Sequence, residues 1–181
     1  MALPSWDAPG GMQQYLVKEK LVSLRIEGIQ QAMSEGVPLL DVRAPEDFVD
    51  VHAKDAVSVP LYTPISGFSP VQMMRRVVYA ANGMAGTELN ENFVADVVAA
   101  IPDKSEPIVV MCDSGGSYEA TATSGLEAKK SRSLIACYLL MQEGYENVLH
   151  AEGGLRDWAR LEMPVVGEDI EAWVQKAAMM P

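Results

Sequence analysis

The chain reads as an α/β domain built on a mainly parallel sheet of about five strands, and three observations carry that reading. Ile108, Val109, Val110 and Met111 form an apolar, β-branched run without alternation, the pattern of a strand buried on both faces. Residues 39–42 (Leu-Leu-Asp-Val) read as a second buried strand. Around these runs apolar residues recur at helical spacing: Val94, Val97, Val98 and Ile101 before the central strand, then Leu134, Cys137, Tyr138 and Met141 after it. Strands alternating with helices imply right-handed crossovers and a parallel sheet.

The elements follow in order. Residues 1–11 hold Pro4, Pro9, Gly10 and Gly11 and read as a flexible arm, with a short packing helix over 12–20. Val22 to Leu24 reads as an edge strand. Ile26, Ile29, Gln30 and Met33 predict a helix stopped at Gly36, Val37 and Pro38. A long segment over 61–91 contains Met73, Met74, Val77, Val78 and Ala81 at helical spacing, with Arg75 and Arg76 read as solvated surface. The helix over 93–101 stops at Pro102-Asp103. Ser131 is placed to cap the helix that carries Cys137. Gly144 ends it, residues 147–150 form the last strand, and Gly153-Gly154 open a helix bearing Trp158. Ile170, Trp173 and Val174 predict a tail helix packed on its own domain. The chain thus divides into an arm and short helix (1–21), a main domain (22–166, with insertions at about 61–91 and 117–131) and a tail (167–181).

Composition narrows the function. A chain of 181 residues that is 49% hydrophobic sustains one substantial core. Its net charge of -11 repels phosphate backbones and anionic lipid, so nucleic acid is not an expected partner. Two cysteines make no disulfide scaffold and fit a reducing compartment. No apolar window of membrane-spanning length occurs, and residues 1–11 lack the blocks of a signal peptide. A soluble chain is expected, including one whose targeting peptide has been removed. Neither a metal nor a cofactor is called for.

Cys112 follows the central strand directly, at the carboxyl edge where open α/β sheets bind ligands. A thiol there, among backbone donors and a helix N-terminus, with Arg132 nearby, ionises readily and binds anions. The residues leave two readings open, a nucleophile or an inert thiol ending a core strand. Cys137, on the core stripe of a helix, is expected to be structural.

These residues resemble the rhodanese, or sulfurtransferase, family, in which a strand-end cysteine opens a loop closed by Arg-Ser at a helix start. Three further stretches carry the resemblance: LLDVRAPEDF (39–48), HAKDAVSVP (52–60) and HAEGGLRDWARLEMPV (150–165). The resemblance implies a three-layer α/β/α fold and a persulfide formed on Cys112 as nucleophile. It implies backbone donors from Asp113, Ser114, Gly115 and Gly116, and closure by Arg132 and Ser133. It also implies loop-organising roles for Asp41, Arg43 and Glu46, with His52 as a loop-fixing hydrogen-bond donor. The turn around His52 departs from the family pattern, having lost both glycines and its proline. The sulfur donor would be thiosulfate or a persulfide, and the acceptor a thiophile, including a protein acceptor or docking partner. Similarity to rhodanese-like proteins of plant and algal plastids points to the chloroplast.

One departure bears on function. The family's compact loop sets Arg five residues after Cys, whereas Arg132 follows Cys112 by 20 positions. The insertion, roughly 117–131, reads as a surface flap. If its ends meet, the anion cradle survives; if it spreads the loop, a catalytically silent binding or scaffold module results. A phosphatase of this fold needs the compact loop and is disfavoured.

Overall fold

The computed structural model describes residues 3–81, 86–119 and 128–179. Its elements in chain order are α1 (Met12–Lys18), β1 (Val22–Leu24), α2 (Ile26–Ser34), β2 (Leu39–Asp41), α3 (Pro45–Asp50), β3 (His52–Ala53), β4 (Val57–Ser58), β5 (Tyr62–Pro64) and α4 (Pro70–Ala81). They continue with β6 (Thr87–Leu89), α5 (Phe93–Ala100), β7 (Ile108–Met111), α6 (Arg132–Gln142), β8 (Val148–Ala151), α7 (Gly154–Arg160), β9 (Val165–Val166) and α8 (Ile170–Met179).

Five strands form an all-parallel sheet in the order β1-β8-β7-β2-β4, with β7 at its centre. Two antiparallel pairs flank it, β3 with β9 and β5 with β6. The period of two along β7 sorts its side chains into two cores. Ile108, Val110 and Cys112 pack with α1, α5 and α6 on one face. Val109 and Met111 pack with α2, α7 and the Ile170 and Trp173 side chains of α8 on the other. The result is an α/β/α sandwich. All four β7 side chains are fully buried, and burying an aliphatic of this size contributes roughly 1.5–3 kcal/mol. The same alternation puts Cys112 on the face covered by α6, which decides what the sulfur can touch.

Several expectations need correction. The arm is not loose over its described part: Leu3 and Trp6 pack on the first core, and Met12 and Gln13 donate backbone N–H bonds to the Ser5 and Trp6 carbonyls. In α2 the inward residue is Ala32, while Gln30 is exposed. The helix expected around Met73 and Val77 forms as α4, yet its apolar face points outward, with Met74 63% and Val77 67% exposed. Its polar side turns inward instead. Arg76 donates to the Ile65 carbonyl at 2.9 Å through Nε and 2.6 Å through Nη2, and Arg75 pairs with Glu88 on β6 at 3.5 Å. A β-ribbon with free carbonyls and a carboxylate selects the cationic side of the helix. No helix among the described residues is long and apolar enough to cross a membrane.

Candidate active site

Three segments converge at the carboxyl end of β7. The loop after Met111 carries Cys112, which is only 2% exposed and lines a cavity of about 450 Å³ with Tyr62, Asp113, Ser114, Lys130, Ser131, Arg132, Ile135 and Arg156. Gly115 and Gly116 adopt left-handed φ values of 65° and 80°, which other residues reach only with strain. Close backbone approach also requires them, since a Cβ on Gly115 would collide with the Gly153 N–H and one on Gly116 with the Lys129 carbonyl.

The insertion closes at its base. Ser117 and Lys129 exchange two backbone hydrogen bonds, N to O at 2.9 Å and 2.7 Å, forming an isolated antiparallel bridge. Residues 112–117 and 129–133 are therefore held as in a short loop, and Arg132 reaches the Cys112 cavity despite its distance in sequence. The flap expected over 117–131 falls largely on residues 120–127, which lie outside the described residues. Just beyond the bridge, the Tyr118 hydroxyl donates to the Leu21 carbonyl, and the Tyr118 carbonyl accepts from Gln13 Nε2 at 3.0 Å.

Helix α6 begins at the cavity. Ser131 caps it, its Oγ accepting from Leu134 N–H at 3.2 Å while its hydroxyl donates to the Gly115 carbonyl. The N–H groups of the first turn and the Arg132 guanidinium make this rim electropositive. Arg132 also approaches Asp47 of α3 at 3.7 Å. From the other side α7 holds the loop backbone: Leu155 N–H donates to the Cys112 carbonyl at 2.9 Å and Arg156 N–H to the Asp113 carbonyl at 3.0 Å. The Arg156 guanidinium grips the Asp113 carboxylate, with Nε to Oδ2 at 2.7 Å.

Among the residues singled out in the sequence, the structure gathers Cys112, Asp113, Ser114, Gly115, Arg132 and Ser133 at this one point. Gly116 contributes its turn, but its N–H goes to the Ser114 carbonyl at 2.7 Å, within the loop. Asp113, Ser114 and Gly115 keep backbone N–H groups without partners among the described residues. Ser133 sits directly on the sulfur, Oγ to Sγ 3.2 Å. Asp41 and Arg43 form a bidentate pair, both 1% exposed, with Nη2 to Oδ2 at 2.8 Å and Nη2 also on the Val51 carbonyl. Glu46 does not join them: it is exposed in the first turn of α3, because Asp41 already satisfies the guanidinium. His52 donates Nδ1–H to the Phe48 carbonyl at 2.6 Å and stacks on the Phe48 ring, which fixes that turn away from the cavity lining. Cys137 is fully buried, and burial pushes its thiol far up.

Arg156, Tyr62, Asp47 and His150 were not singled out as site residues. Burial pushes the Tyr62 phenol up, against the pull of Arg132, so it stands at the cavity as a neutral hydroxyl. His150 is completely buried behind Ser133, and burial pushes its imidazole down to about 4, the Gly115 bond and Glu152 opposing. In the sequence it stood only as the end of the last strand and the first residue of the stretch 150–165, with no role assigned to it.

A cysteine at the end of a central parallel strand, in a glycine loop backed by a helix N-terminus, sits at the edge of an α/β sheet where ligands bind. The rhodanese-like domain family matches residues 26–161, and the chain belongs to that family. It is 34% identical over 155 residues to the chloroplastic rhodanese-like domain-containing protein 14 of Arabidopsis thaliana, covering 84% of this chain and 68% of that one. A sulfurtransferase of Allochromatium vinosum is 27% identical over 138 residues, 76% and 86% of the two chains. Thiosulfate sulfurtransferase 16, chloroplastic, of Arabidopsis thaliana is 29% identical over 125 residues, 69% and 76%. In structure, the rhodanese-like domain of an Anabaena protein superposes with a TM-score of 0.51 at 18% identity, covering 82% and 81% of the chains, which agrees with the fold. Membership of this family, with sulfurtransferases among its relatives, supports a sulfurtransferase type of function.

Proposed function

We propose that this chain is a sulfurtransferase that carries a sulfane sulfur as a persulfide on Cys112. The observation that supports this most is the closed base of the insertion, because the Ser117 and Lys129 bridge keeps loop amides, helix N-terminus and Arg132 around one sulfur. The Cys112 thiolate attacks the outer sulfur of thiosulfate; an S–S bond forms, the donor S–S bond breaks, and sulfite leaves with the electron pair. An acceptor thiolate or cyanide then attacks the terminal sulfur, and Cys112 departs as thiolate. The unpartnered N–H groups of Asp113, Ser114 and Gly115 are the donors available to the anionic persulfide, held in place by α7 so that little reorganisation accompanies reaction. Thiosulfate-to-cyanide transfer should be present in the wild type and abolished in Cys112→Ser.

The second reading, a silent rhodanese-like binding module, draws on the near-complete burial of Cys112. It predicts no transfer in either protein and slow alkylation of Cys112 in the folded state. Chloroplastic relatives support placement in the chloroplast, which the location of the gene product fused to a fluorescent reporter would test.

A further inference from the structure

His150 lies behind the active-site loop and touches no substrate cavity, yet its ring nitrogens are committed on both sides. Nε2 is 2.9 Å from the Gly115 carbonyl and 3.1 Å from Ser133 Oγ. Nδ1 is 3.0 Å from Ser23 Oγ on β1. A carbonyl oxygen only accepts, so a bare Nε2 at this distance would face it lone pair to lone pair. Nε2 therefore carries the proton, and Nδ1 accepts from the Ser23 hydroxyl.

The Gly115 carbonyl has two lone pairs and three neighbouring donors. The Ser131 hydroxyl takes one, and His150 Nε2–H takes the other. Ser133 Oγ, 3.0 Å from the same carbonyl, is a third donor to an oxygen with two lone pairs, so His150 competes with it there. Ser133 cannot donate to a protonated Nε2. Its remaining acceptors are Ser131 Oγ at 3.1 Å, already bonded to Leu134 N–H, and Cys112 Sγ at 3.2 Å. A charged sulfur outcompetes a neutral hydroxyl for that proton.

We propose that His150 is a positioning residue: by occupying the Gly115 carbonyl it turns the Ser133 hydroxyl proton onto the Cys112 thiolate. The proposal rests on Cys112 as the sulfur-carrying nucleophile and adds a buried residue on β8 to its machinery. Burial keeps His150 neutral at physiological pH, which preserves the single donor at Nε2. The other groups facing the sulfur or lining its cavity are Arg132, Lys130, the Arg156 and Asp113 pair, Tyr62 and the buried Cys137, while the hydrogen bonds of His150 go to Ser23, Gly115 and Ser133 and the charge that acts on it is Glu152.

The test is the pH profile of Cys112 alkylation by iodoacetamide, resolved from Cys137 by peptide mass and run without sulfur donor or acceptor. Ser133→Ala removes the proton donor and should move the midpoint up by about one pH unit. His150→Leu should move it in the same direction, His150→Gln should restore much of the wild-type value, and His150→Leu with Ser133→Ala should shift it no further than either alone. A folded His150→Leu protein with the wild-type midpoint, or additive shifts in the double variant, overturns the proposal. Should His150→Leu fail to fold, nitrogen-15 NMR of the wild-type ring decides: a protonated Nε2 with bare Nδ1 is expected, and the opposite tautomer overturns it. Because alkylation needs no turnover, a wild type inactive in the cyanide assay would refute the proposed function while leaving this outcome readable.

Discussion

Asp41 and Arg43 are charges with almost no access to water, and each depends on the other. Asp41→Asn leaves a guanidinium buried with half its partners gone, and unfolding in urea should show a loss of about 3–5 kcal/mol. Arg43→Lys is not a conservative change here, because one ammonium cannot span both carboxylate oxygens and the Val51 carbonyl. Beside the sulfur, Arg156→Met would free the Asp113 carboxylate to repel both thiolate and thiosulfate. Thiosulfate turnover at neutral pH should fall roughly tenfold, and added salt should recover part of it. The first pair was legible in the sequence because its members are two positions apart on one strand end. Arg156 and Asp113 are 43 positions apart and meet only through the fold. Glu46 shows the converse, since helical reach from Arg43 did not survive a nearer carboxylate.

Helix α4 is inside out relative to its pattern. Met74→Lys and Val77→Glu should change stability by no more than about 0.5 kcal/mol, whereas Arg76→Met should cost about 1 kcal/mol or more by stripping the Ile65 carbonyl of its donors. Thermal melts of the three variants check the contrast. Periodicity revealed the helix but not its orientation, because a stripe identifies an inward face only when the neighbouring surface is apolar. The β5 and β6 ribbon instead presents a carbonyl and Glu88. Helix α6 was more legible: its cap, its stripe and the strand before it all agree, and Ser131 serves as cap and loop anchor together.

The two cores on either side of the sheet make the fold cooperative, and a buried neutral histidine ties that cooperativity to acidity. The His150 imidazole is lowered from 6.5 to about 4, so the unfolded chain binds a proton that the folded chain refuses between those values. This contribution is fully present above pH 6.5 and is lost as pH falls toward 4, up to about 3 kcal/mol. Urea midpoints at pH 7 and pH 4.5 should differ accordingly, and His150→Gln should flatten the difference. The three-layer architecture and the cysteine's place at the strand end were readable because long apolar runs and helical stripes are local signals. The bridge between Ser117 and Lys129 was not, since two backbone hydrogen bonds leave no mark on residue type. That bridge also makes the chain modular at its reactive edge: because Glu119 and Ala128 stand beyond a closed stem, an epitope or a small fluorescent domain spliced between them would ride beside the sulfur as a reporter without being threaded through the loop that holds it.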